Sequence, residues 1–205
     1  MSYFTTACSI IYLKRGDKMK IIGKCKTFSF ISFLFLVVIG TLWHYAYRLT
    51  GNNSVIAAIT PVNESVWEHL KILLFPALFL SAAEFFIYGR NTDKFLAAKG
   101  IAILVGMCFI VTAFYTYSGI CGGHFLLGDI AIFVISAAIS SFLTCYLICN
   151  DTFKPSETLS AVVLTIITVF VILFIYFTYT PPHNELFRDP ISEDFGITNE
   201  YKNKP

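Results

Sequence analysis

The chain has 205 residues, 56% of them hydrophobic and 17% aromatic, with only 14% charged and a formal net charge of +2. A mean hydropathy of +0.70 lies far from that of a soluble domain, where apolar residues make up nearer half and charged ones about a quarter. The basic residues form no dense stripe, which speaks against a nucleic-acid footprint, and six cysteines without a CxxC pair speak against a zinc knot or dithiol motif.

In chain order, residues 1–27 read as a cytoplasmic segment. Its first eighteen residues hold an apolar run too short to cross a membrane and no signal-peptide cleavage site. Codons for the "KRGDK" before Met19 can spell a purine-rich ribosome-binding site, so Met19 is the expected translation start; native peptides from residues 1–13 would contradict it. Residues 28–180 then carry the apolar runs. About 30 Å of hydrocarbon takes roughly 20 residues of helix, and five runs qualify: 28–47, 70–88, 95–117, 125–148 and 159–179. Backbone groups in lipid must be satisfied within the segment, so each run is expected to be a helix. Short connections make sequential helices antiparallel neighbours. The fold class is therefore an all-α integral membrane bundle of five transmembrane helices. Trp43, Tyr45, Tyr47, Tyr115, Tyr117, Tyr176 and Tyr179 cluster at span ends as an interfacial aromatic belt.

Lys and Arg set the orientation. Lys20, Lys24, Lys26, Arg90, Lys94, Lys99 and Lys154 fall on one side, against Arg48, Lys71 and Arg188 near the membrane on the other. The excess places the N-terminus inside and the C-terminal tail, residues 181–205, outside. Cys121 is then the only outer cysteine and is expected to form no disulfide within the chain.

Between the first two spans stands "TPVNESVWEHLK" (60–71), which concentrates an Asn, two Glu, a Trp, a His and a Lys in twelve positions. Thr60 before Pro61 reads as an N-cap with proline at the first helical position. On that helix Glu64 and Glu68 share a face at i and i+4, with Lys71 beside them and His69 about 100° round. Pro76 is expected to kink the helix and free a carbonyl. The four histidines, at 44, 69, 124 and 183, all fall on the outer side. Asp129, about one turn into the fourth run, is costly in lipid; its face continues through Ile132, Ser136 and Ser140, which implies that it looks into the bundle. The tail "PPHNELFRDP" is stiffened by prolines and supplies His183 and Asp189. Together His44, Glu64, Glu68, His69, Asp129, His183 and Asp189 are the expected lining of one outward-facing pocket. Plainer readings stand beside this: a solvated helix start for Glu64, Glu68 and Lys71, an interfacial anchor for His44, a loop residue for His124, and a structural ion pair for Glu84 and Lys99.

"PVNESVWEHLKILLFP" (61–76), "FYTYSGI" (114–120) and "PPHNELFRDPISEDFGI" (181–197) resemble a family of small bacterial multi-pass membrane proteins known only as a domain of unknown function. The resemblance covers roughly residues 28–197 and implies a bacterial cell-membrane location but no activity. Two function classes follow. One is a membrane protein whose pocket binds a cation, small solute or lipid head group. The other is a membrane-embedded, metal-dependent hydrolase or transferase acting on lipid, with a divalent metal held by His, Glu and Asp. The absence of HExxH and HxxxH weighs against the second, and the absence of an internal repeat against a transporter.

Overall fold

A computed structural model describes residues 2–197, with side chains described from residue 19 onward except residue 21. Residues 1–18, on which the expected start at Met19 turns, have no described side chains, and Cys8, Lys202 and Lys204 likewise lie outside the described side chains. Six α-helices follow in order: α1 (Ser2–Leu49), α2 (Ser54–Ala57), α3 (Val66–Ile87), α4 (Phe95–Cys121), α5 (Leu126–Cys149) and α6 (Glu157–Tyr179). Among the described residues, five stretches are long and apolar enough to cross a membrane: Ile22–Leu49 and the whole of α3, α4, α5 and α6. They match the five expected runs to within a few residues, except that the first begins six residues earlier than residue 28. These helices suggest a multi-pass membrane protein in a lipid environment. Large apolar side chains such as Phe30, Leu34 and Val38 on α1 and Val162, Val169 and Ile172 on α6 stand exposed along whole helix faces, an arrangement soluble monomers avoid.

The core is shared by all five long helices and includes Leu36, Leu73, Ile103, Ala137 and Phe174. Helix α4 lies centrally, against α3, α5 and α6, while α1 packs on α3 and α5. Small residues set the close approaches. A Cβ at Gly106 would stand 3.2 Å from Ser136 O and 3.6 Å from Ser140 Cβ, so α4 meets α5 through a small-residue seam of the kind that membrane helices use. Ile132, Ser136 and Ser140 are buried, as their helical spacing predicted. Helix α3 runs through Pro76 without a break. Proline cannot bond the carbonyl of Ile72, and that oxygen lies 3.1 Å from where a Cβ on Gly40 would stand. The bare glycine backbone of α1 thus approaches the freed carbonyl.

The helix start differs from expectation. Thr60 and Pro61 do not open α3; Ser65 is its N-cap, accepting from Glu68 N at 3.3 Å. "SVWE" is the Ser-x-x-Glu capping pattern, with a change of partner. Ser65 N is already bonded by Asn63 Oδ1 at 2.9 Å, so the Glu68 carboxylate takes Val62 N at 3.0 Å instead. The tail docks on this turn, with Trp67 N donating to Leu186 O at 3.0 Å and Asn63 Nδ2 to Gly196 O at 2.9 Å. Trp67 packs in tilted contact with Phe174 and Phe187 at centroid distances of 4.4 and 4.8 Å.

Candidate functional site

Helices α1, α3, α4 and α5 meet around a cavity of about 370 Å³ at the end of the bundle that carries the C-terminus of α1 and the N-terminus of α3. That volume falls in the range of small-ligand sites, roughly 300–1,000 Å³. Its walls are largely apolar, with Ile72, Ile110, Phe114, Ile132 and Phe133 inside. Thr41 and Tyr45 on α1 and Leu126 and Ile130 on α5 also line it and are exposed, so the mouth opens sideways between these helices. At the floor a Cβ on Gly40 would come within 2.4 Å of Phe133 Cζ; only glycine leaves room for that ring.

Two polar groups interrupt the apolar lining. The first joins three elements: His44 from the last turns of α1, Glu64 from the turn before α3, and His69 from the first turn of α3. Glu64 Oε2 lies 3.5 Å from both His44 Nε2 and His69 Nε2, and Arg48 Nη2 reaches Glu64 Oε1 at 3.4 Å. His69 Nδ1 is 3.0 Å from Ser65 O. The second group sits where α4 turns into α5. His124 Nδ1 lies 3.0 Å from Asp129 Oδ2, and Tyr117 donates its hydroxyl to Asp129 Oδ1. Gly122, in a left-handed conformation with φ of 73°, ends α4. It turns the chain so that His124 and Asp129 come together.

The seven expected pocket residues divide. His44, Glu64, His69 and Asp129 line the cavity, and His124 joins them. Glu68, His183 and Asp189 are not among the lining residues. Glu68 turns inward, where Lys71 Nζ lies 2.8 Å from its Oε2, and both are buried. The i, i+4 relation to Glu64 fails because Glu64 precedes the helix. Asp189 is buried as the organiser of the tail turn, accepting from Ile191 N at 2.8 Å and Ser192 Oγ at 3.0 Å. His183 is exposed and stacks on Phe195 at 4.7 Å. Asp129 is only half-buried, because α5 begins at Leu126 and places it in the first turn, where the helix dipole favours a carboxylate. The tail still reaches the cavity, through Ile191. Glu84 and Lys99 form the expected ion pair, at 2.5 Å. Cys121 is a free cysteine.

Five helices of spanning length, four of them around a laterally open, polar-tipped cavity, define the class: an all-helical, multi-pass membrane-type bundle. Within it the chain belongs to the family of unknown function DUF6512, which matches residues 17–197. No curated protein and no solved structure matches the chain.

Proposed function

We propose that this protein sits in a bacterial cell membrane with its N-terminus inside, and binds an amphiphile by its polar head in the cavity at the outer end. The observation that carries this reading is the cavity's composition. Apolar walls and a sideways mouth between α1 and α5 suit an acyl chain entering from the bilayer, while two histidine–carboxylate groups offer acceptors to a head. Carboxylates only accept hydrogen bonds, so the favoured head brings donors such as an ammonium or sugar hydroxyls.

For purified protein in detergent and chelator, a short-chain phosphatidylethanolamine at a hundred times its Kd is expected to add about 2.7 kcal/mol of stability. For a chain of this size that is about 5–10 °C in melting temperature. Ile130→Trp, at the exposed rim, is expected to leave the unliganded melting temperature unchanged and to remove the shift. Equal shifts in both proteins would mean general lipid solvation and no site.

Orientation supports the outward placement. Lys71 and Lys99 are consumed by buried pairs with Glu68 and Glu84. Leaving them out turns seven against three into six against two, and the positive excess keeps its side. A C-terminal alkaline phosphatase fusion is expected to be active and a C-terminal GFP fusion dark. The reverse pattern would invert the topology.

A further inference from the structure

We infer that His44, Glu64 and His69 form a three-ligand centre for a divalent d-block cation of the zinc class, with its open coordination position facing the cavity. This goes beyond the amphiphile reading and stands without it. The ligand atoms of the three residues all lie within 4.8 Å of one another. One carboxylate oxygen is 3.5 Å from each imidazole Nε2, well beyond the usual 2.9–3.0 Å of a hydrogen bond. It is instead near the edge of a tetrahedron whose metal–ligand bonds are 2.0–2.2 Å, about 3.3–3.6 Å.

The tautomer argues the same way. His69 Nδ1 faces the carbonyl of Ser65 at 3.0 Å, and a carbonyl can only accept, so Nδ1 carries the proton of the neutral ring. Its Nε2 then presents a lone pair to Glu64 Oε2. In the neutral ring these two acceptors are directed at each other, and a metal ion between them satisfies both. A backbone carbonyl on the far nitrogen is also the usual outer partner of a metal-bound histidine. Arg48 at 3.4 Å from Glu64 Oε1 orients the carboxylate so that Oε2 points at the rings. His44 Nδ1 is buried without a hydrogen-bond partner among the described residues, and packing positions the ring: its centroid is 4.9 Å from that of Tyr45 and 5.2 Å from that of His69.

Two histidines and one glutamate leave a fourth position of a tetrahedral ion free. The three side chains are 20–31% exposed, so an ion can exchange from the water side of the cavity. The second polar group, His124 with Asp129, lines the same cavity.

The test uses the full-length protein, purified in detergent, stripped with chelator and titrated with Zn(II) or Co(II). One ion per chain is expected, with the visible d–d absorption of four-coordinate Co(II). Glu64→Gln keeps the side-chain shape and His69→Ala removes a ligand. Each is expected to abolish stoichiometric binding, and Arg48→Gln to weaken it by about 10–100-fold through the outer shell. His183→Ala, outside the cavity, is expected to bind like the wild type. Melting curves recorded in chelator show which variants fold; should His69→Ala fail, the wild-type stoichiometry and Co(II) spectrum still decide. Absence of bound metal or of the Co(II) band in wild type, as for a cluster bridged by protons alone, overturns the proposal. So does undiminished binding in folded Glu64→Gln. Lipid-induced stabilisation measured in chelator is unaffected by either outcome.

Discussion

Lys71→Met is expected to destabilise the protein by about 3–5 kcal/mol, the range seen when one partner of a buried ion pair is removed. Lys71 is 0% exposed. Its ammonium donates to Glu68 Oε2 at 2.8 Å, Ala57 O at 3.1 Å, Thr60 O at 3.2 Å and Thr178 Oγ1 at 2.5 Å. One cation therefore satisfies a buried carboxylate, closes the carbonyl end of α2 and ties α3 to the last turn of α6. Methionine matches its length but takes the ammonium from Ala57 O, Thr60 O and Thr178 Oγ1 and leaves Glu68 Oε2 with Val62 N alone. Adding Glu68→Gln removes the stranded charge and is expected to recover only part of the loss, because the two carbonyls and Thr178 stay unserved. Unfolding of both single variants and the double in one detergent gives the coupling energy. Additive costs would show that Glu68 and Lys71 do not act as a pair. Glu64 lies in the turn that Lys71 braces, so cavity ligand binding is expected to fall with stability in Lys71→Met.

The same turn shows how far the sequence could be read. Span positions were legible because runs of about twenty apolar residues have few other fates. The Glu84–Lys99 pair was legible because two opposite charges at matching depth on adjacent helices have little choice of partner. The start of α3 misled. Thr60-Pro61 carries an N-cap signal, yet Ser65 with Glu68 three residues on carries the stronger reciprocal pattern. The helix obeys the second. That five-residue delay sends Glu64 sideways to His44 and His69 while Glu68 turns into the core. The tail docks on the start of α3 through Leu186 O and Gly196 O. Its polar residues are used up in its own order, through Asp189 and its turn and through His183 on Phe195. What brings His44 to Glu64 is packing between segments twenty residues apart, and no local pattern in the sequence records it. His124 was visible as a loop histidine; only its contact with Asp129 at 3.0 Å marks it as part of the site.

Lys99→Met is also expected to cost about 3–5 kcal/mol, but its rescue should differ from that at Lys71. Lys99 Nζ and Glu84 Oε2 lie 2.5 Å apart, and beyond this contact neither atom finds a hydrogen-bond partner among the described residues. Ser32 Oγ donates to the other oxygen, Glu84 Oε1, at 2.5 Å, an acceptor that glutamine retains. Both charges are buried at the end of the bundle opposite the cavity, between α1, α3 and α4. Desolvating two ions there offsets most of what their attraction returns, so removing both together costs little. Glu84→Gln combined with Lys99→Met is therefore expected to unfold within about 1 kcal/mol of the wild type, a near-complete rescue because both charges go together and glutamine keeps the acceptor for Ser32. A double variant as unstable as Lys99→Met alone would mean that the charges hold something besides each other. A folded, stable double variant that loses a proton-coupled activity would assign them to a path across the membrane, in place of a structural clamp.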